Sequence, residues 1–174
     1  MKIGLLSDTH GFLDEKVLDY FAECDEIWHA GDIGDGVAQR LSAKKNVKAV
    51  FGNIDGKEIR AVYPEFIETE ISDCRILITH IAGAPPRYTP SVRSKINTFK
   101  PHVLICGHSH ITRVSKDDKN QLVYLNPGAA GQHGFHHIRT IMKFEVADGR
   151  IKDLVVIELG KRGKISMTES GEHI

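Results

Sequence analysis

The sequence predicts a mixed α/β sheet architecture in a single domain. Three observations carry this. Short apolar runs alternate with helix-like segments through the opening third, later runs pair across tight polar turns, and five of the runs stop abruptly at Gly, Asp or His. A βαβαβ rhythm followed by hairpins implies a parallel sheet core with antiparallel strands added to it.

Taken in order, Lys2–Leu6 is a compact apolar run ending in Ser7-Asp8-Thr9-His10. Between Asp14 and Cys24, the residues Val17, Leu18, Phe21 and Ala22 share one helical face. Glu26–Ala30 is a second run, closed by Gly31-Asp32, and Val37 with Leu41 marks a helix to about Lys45. Val47–Phe51, rich in β-branched and aromatic residues, ends in Gly52-Asn53. Phe66–Ile71 and Arg75–Thr79 flank the turn Ser72-Asp73 and read as a hairpin that runs into His80. A loop with Pro85-Pro86 leads to a helix over Ser91–Phe99, with Ser91 as N-cap and Pro101 as stop. Val103–Cys106 precedes Gly107-His108-Ser109-His110. Val114–Lys116 and Leu122–Leu125 follow, then the loop Asn126–Gly131 and a hairpin of Ile138–Val146 with Ile151–Glu158 across Asp148-Gly149. These late strands read as antiparallel.

At 174 residues the chain is close to the roughly 150 residues of one domain. That domain covers residues 1–160, and the polar segment 161–174 reads as a loose tail. Lys and Arg number 23 and so do Asp and Glu, so the net charge is zero. A general binder of long nucleic acid or anionic membranes would be basic, so neither partner is expected. Cys24, Cys74 and Cys106 form no CxxC pair, which excludes a zinc ribbon and points to the reducing cytoplasm. The N-terminal apolar run is too short for a signal peptide, and no run is long enough to span a membrane. Self-association is left open.

The unusual figure is histidine, with 10 copies. Asp8, His10, Asp32, Asn53, His80, His108 and His110 all follow strand-like runs. In open α/β sheets the crevice beyond the carboxyl strand ends binds ligands, so these residues should converge. Four imidazoles, two carboxylates and one amide oxygen exceed the needs of one tetrahedral ion but suffice for two ions sharing a carboxylate. Gly31, Gly52 and Gly107 each precede a ligand, where the chain must turn sharply and approach a metal or phosphate.

The series D-x-H, G-D, G-N, H and G-H-x-H over residues 1–135 resembles the calcineurin-like metallophosphoesterases. Gly52-Asn53-Ile54-Asp55 and Asn126-Pro127-Gly128 look most like the short YfcE-type phosphodiesterases, relatives of the retromer subunit vacuolar sorting protein 29. The resemblance implies a four-layer α/β/β/α sandwich with a dimetal site at its rim. It implies that Asp8, His10, Asp32 and His110 hold one ion and Asp32, Asn53, His80 and His108 the other, with Asp32 bridging. Hydrolysis of a small phosphoester, most of all a diester, would proceed by in-line attack of a hydroxide between the ions. Asp32, Asn53 and His108 are the residues expected to act in catalysis. Nitrogen and oxygen ligands suit Mn first, with Fe, Ni or Zn as alternatives. The rival readings are a non-catalytic scaffold of the retromer type and a phosphomonoesterase.

Two positions depart from the wider family. Ile54 stands where many members carry a proton-donating histidine, and Ile81-Ala82 follows His80 where many carry Gly-His. Other residues have plainer readings: His29 as a satisfied supporting histidine, and His133, His136 and His137 as an exposed loop that could supply an acid. Asp55 is either a turn residue or an orienting carboxylate, Arg87 and Tyr88 either surface or phosphate grip, and Cys106 a small buried hydrophobe.

Overall fold

The computed structural model describes residues 1–163. Its strands are β1 (Lys2–Leu6), β2 (Glu26–His29), β3 (Asn46–Ala49), β4 (Phe66–Ile71), β5 (Cys74–Thr79), β6 (Gly83–Ala84), β7 (Arg87–Tyr88), β8 (Val103–Ile105), β9 (Thr112–Asp117), β10 (Leu122–Pro127), β11 (Ile138–Ala147) and β12 (Arg150–Lys161). The helices are α1 (Lys16–Tyr20), α2 (Val37–Ser42), α3 (Lys57–Val62) and α4 (Pro90–Phe99). One five-stranded sheet has the order β12-β11-β1-β2-β3 and the other β4-β5-β8-β10-β9, with β6-β7 a separate two-stranded ribbon. No described helix is long and apolar enough to cross a membrane.

Alternation along the central strands builds the layers. Ile3 and Leu5 of β1, Ile76 and Ile78 of β5, and Val103 and Ile105 of β8 share one core between the sheets. Their neighbours point the other way. Leu6 and Ile27 pack with Val17 and Phe21 near α1 and with Val37 and Leu41 of α2, while Leu77 and Leu104 pack under Val92 and Ile96 of α4. Strands covered on both faces read as continuous apolar runs, and that is the pattern of the sequence. The result is the four-layer α/β/β/α arrangement.

Several elements depart from the sequence expectations. α3 was not expected: its six residues contain no fully buried side chain, so no apolar period marks it. The N-cap of α4 is Thr89, whose hydroxyl accepts from the Val92 N–H, and Pro90 takes the first helical position instead of Ser91 acting as cap. β10 extends through Asn126 and Pro127 and pairs parallel with β8, while β9 lies antiparallel outside it at the sheet edge. β12 continues to Lys161, opposite Ile138, one residue into the expected tail. Residues 164–174 of that segment lie outside the described residues.

The far end of the inter-sheet core is closed by a polar knot. Glu26 is buried and accepts from Trp28 Nε1, Asn46 Nδ2 and Lys48 Nζ, each at 2.8 Å. Trp28 in turn meets Phe144 edge to face at 6.0 Å. Burial alone would raise the Glu26 pKa, but the donors from Lys48, Trp28 and Asn46 outweigh it and hold the carboxyl below its usual value. A depressed carboxylate stabilises the fold above its unfolded pKa and loses that contribution as pH falls through the folded value. Glu26→Gln is therefore expected to cost about 2 kcal/mol at neutral pH, the scale of a charged hydrogen bond. In urea unfolding, the gap between the two proteins should shrink as pH falls below 4.5, the ordinary value for a glutamate. A gap independent of pH would refute the assignment.

Candidate metal centre

All seven candidate residues lie on loops beyond the carboxyl ends of β1, β2, β3, β5 and β8. Three of those strands belong to one sheet and two to the other, so the loops meet at the rim shared by both. The backbone there is contorted. Asp8, His10, Asp32, His108 and His110 take positive φ values of 54°, 48°, 53°, 67° and 58°. Each such non-glycine residue costs roughly 1–2 kcal/mol and persists only where its surroundings over-determine it.

Those surroundings are visible. The Asp8 N–H donates to the Gly31 carbonyl and the His10 N–H to the Asp32 carbonyl, both at 3.0 Å, which continues the β1–β2 ladder into the loops. The Asp8 carboxylate accepts the His108 N–H at 3.1 and 3.2 Å, and His80 Nδ1 donates to the Ala30 carbonyl at 2.8 Å. Both contacts cross from sheet to sheet. A Cβ on Gly52 would sit 2.0 Å from Asp32 Oδ1, and one on Gly107 2.0 Å from Ser7 Oγ and 2.7 Å from Asp8 Oδ2. Their need for glycine is close approach to these side chains, not the sharp turn expected from the sequence.

Asp55 has the larger of its two expected roles. Its buried carboxylate accepts from the N–H groups of Ile33 (3.0 Å), Gly34 (2.9 Å) and Gly52 (2.7 Å), locking the Asp32 loop to the Asn53 loop. Arg60 stacks on Phe51 at 4.2 Å and donates to the carbonyls of Asp55 and Gly52.

Within this frame, ring nitrogens face oxygens. With His80 Nδ1 on the Ala30 carbonyl, its Nε2 lies against Asn53 Oδ1 (3.1 Å), Asp32 Oδ1 (3.2 Å) and Asp8 Oδ1 (4.0 Å). His110 Nε2 lies 3.1 Å from Asp8 Oδ1, and His108 Nδ1 lies 2.9 Å from Asn53 Oδ1. His10 Nε2 is buried without a hydrogen-bond partner, 3.6 Å from Asp32 Oδ2. Two groups, Asp8-His10-His110 and Asp8-Asp32-His80, bring their ligand atoms within 4.8 Å of one another. This convergence of imidazole nitrogens, carboxylates and an amide oxygen, with His10 Nε2 left unpartnered, suits a first-row divalent metal. The residues present therefore fit the group.

The charge states follow the same logic. Burial lowers the His10 pKa beyond what Asp32 and Asp8 restore. Burial opposes ionisation of Asp32, but bonding to His80 and the Ile54 N–H outweighs it and lowers the pKa. His80 is the reverse: burial lowers it, and Asp32 and Asp8 raise it further. Burial drives His29 down to about 4, so it is neutral. It accepts the Gly31 N–H at Nδ1 and donates from Nε2 to Thr9 Oγ1 (2.8 Å), whose hydroxyl donates to the Ile33 carbonyl. It supports the Asp8 and Asp32 loops and is not a ligand.

The histidine loop is exposed at His133 and His137, as the sequence suggests, and it also folds back onto the site. His133 stacks against His10 with centroids 4.8 Å apart, and His136 Nδ1 lies 3.3 Å from His110 Nδ1. Burial lowers the His136 pKa, ahead of the Gly131 carbonyl contact that raises it. The only sequence signal was a cluster of histidines after Asn-Pro-Gly, which does not reveal where a loop folds back. Tyr88 of the β6-β7 ribbon donates instead to Asp117 Oδ2 (2.7 Å) at the end of β9. Cys106 is buried, its thiol pushed up to about 12 by burial. Asn126 was missed as a support: its Nδ2 donates to the Gly107 carbonyl (2.8 Å) and Ser109 Oγ (3.1 Å), bracing the His108–His110 turn.

Fold and rim together define a two-sheet α/β protein whose facing sheets share a histidine- and carboxylate-rich centre. A sequence profile of the calcineurin-like phosphoesterase superfamily domain matches residues 1–149, and the chain belongs to that superfamily. No curated protein matches significantly. Among solved structures, wild-type Vps29 from Entamoeba histolytica complexed with zinc is 17% identical, with a TM-score of 0.69, covering 91% of this chain and 99% of that one. A predicted phosphoesterase from Streptococcus pneumoniae is 21% identical at a TM-score of 0.64, over 90% and 97%. YfcE, a phosphoesterase from E. coli, is 22% identical at 0.61, over 89% and 98%. At these identities the likeness is one of fold.

Removing the Asp55 carboxylate strands three backbone N–H groups. Asp55→Ala is expected to cost about 3 kcal/mol in denaturant unfolding. A loss below about 0.5 kcal/mol, the range of ordinary surface changes, would show that the two loops hold themselves.

Proposed function

We propose that this chain is a metal-dependent phosphodiesterase acting on a small phosphoester in the cytoplasm. The observation that carries the reading is the convergence of imidazole, carboxylate and amide groups from both sheets, with His10 Nε2 buried and unpartnered among them. Asp8, His10, Asp32 and His110 would hold one ion, and Asp32, Asn53, His80 and His108 the other. The two oxygens of Asp32, turned separately to His80 and His10, suit it to serve both. Two divalent ions there, Mn first among them, would supply Lewis acidity and activate water at neutral pH. The unpaired, buried cysteines support a reducing compartment.

The protein's own contribution is orientation. A pocket of about 600 Å³ opens over Asp32, Asn53, His108 and His110, and its other walls include Ile54 and Ile111. Asn53 turns its oxygen to His80 and His108, which leaves its NH2 as a donor to a phosphate oxygen. The Ile54 N–H holds Asp32 Oδ1 at 3.0 Å while its side chain offers the pocket no proton. That favours a leaving group that departs without protonation, such as an aryloxide. The Vps29 likeness keeps a protein-binding role as the alternative.

With Mn added, bis-p-nitrophenyl phosphate should be hydrolysed faster than p-nitrophenyl phosphate. Asn53→Ala should lower the diester rate by at least about 100-fold, and a chelator should abolish it. Preference for the monoester would make the chain a phosphomonoesterase. No hydrolysis with any metal, in protein that holds two ions, would leave the scaffold reading.

A further inference from the structure

The loop from Gly131 to His136 closes a circuit on Asp8. The Gly131 N–H donates to the Asp8 carbonyl at 3.1 Å. The Gly131 carbonyl lies 3.0 Å from His136 Nε2, His136 Nδ1 lies 3.3 Å from His110 Nδ1, and His110 Nε2 lies 3.1 Å from the Asp8 carboxylate. Both ends of the circuit are thus atoms of one residue.

With the His110–His136 contact taken as a hydrogen bond and the His110 Nε2–Asp8 gap left to a cation, neutral rings have one proton inventory. A carbonyl oxygen only accepts, so the single ring proton of His136 is on Nε2 and its Nδ1 is a lone pair. His110 must then donate from Nδ1, which leaves the His110 lone pair on Nε2, facing Asp8. We infer that His136 is a positioning residue that fixes His110 in the tautomer and ring orientation able to ligate through Nε2. Ligating imidazoles ordinarily find such a partner in a carboxylate, carbonyl or water; here another histidine fills the role.

Independent packing supports the assignment. Gly134 has φ 116°, and a Cβ there would stand 2.2 Å from His110 Nδ1 and 3.3 Å from His136 Nδ1. The chain is shaped to press its backbone on that pair, so the contact does not depend on the His136 side chain happening to swing inward. The inference rests on the metal-binding reading above and deepens it for the ion held by Asp8, His10 and His110.

Zinc titration by calorimetry tests it on wild type, His136→Ala and His136→Gln. Wild type should take up two ions. His136→Ala should weaken one of them by about 10–100-fold, the usual effect of losing a ligand's supporting partner, and leave the other unchanged. Glutamine offers a carbonyl oxygen to His110 Nδ1–H and should restore most of the loss. In the zinc-loaded protein, NMR should show the His110 Nδ1 proton protected from exchange in wild type and His136→Gln, and exchanging freely in His136→Ala. Two ions bound with unaltered affinity and protection in His136→Ala would overturn the inference and spare the metal-binding reading. A wild-type protein that takes up no ion would overturn both.

Discussion

Everything at the rim is organised by one electrostatic constraint: two buried carboxylates are held close to one another. Asp8 and Asp32 are shielded from water, and ring nitrogens of His80, His10 and His110 point at their oxygens. Such a pairing of like charges does not form by attraction between its members. It must be imposed by hydrogen bonds from behind, and the structure supplies them from both sheets. The His108 N–H on Asp8, the Ile54 N–H on Asp32 and the Ala30 carbonyl on His80 each fix one of the converging groups, and the three N–H groups on Asp55 tie two of the loops together. The left-handed backbone at five ligand positions is the covalent side of the same constraint.

Much of the fold was legible because burial on two faces leaves an unmistakable trace. β1, β2, β5 and β8 read as apolar runs because one set of alternate residues faces the other sheet and the other set faces a helix. The stacking of two sheets came from the family resemblance, since an apolar run does not say what covers it. α3 escaped because it buries no side chain completely, and β10 escaped as a parallel strand because pairing partners are chosen in three dimensions.

The candidate ligands were legible for a different reason: each stands directly after a strand, so topology delivers it to the rim. Supports on longer detours were not. His136 reaches His110 by a loop that returns over Asp8, and no local pattern encodes that path. Asp55 could be narrowed only to two roles, because three backbone N–H groups from two loops carry no side-chain signature. Neutral overall charge likewise concealed a local excess of lone pairs, which exists only once the chain has folded.

The tie between the His108 N–H and the Asp8 carboxylate joins residues 100 positions apart in the chain. Contacts of such sequence separation require loop closure before they return any stabilisation, and they form late. The first sheet also closes late, because β1 is flanked by β11 and β11 by β12, both from the far end of the chain. During synthesis, Asp8 therefore emerges long before the residues that complete its surroundings. A nascent chain holds scattered histidines and aspartates with little geometry in common. Only the finished fold gathers these groups, so a cation held there would mark a chain whose two sheets have both closed.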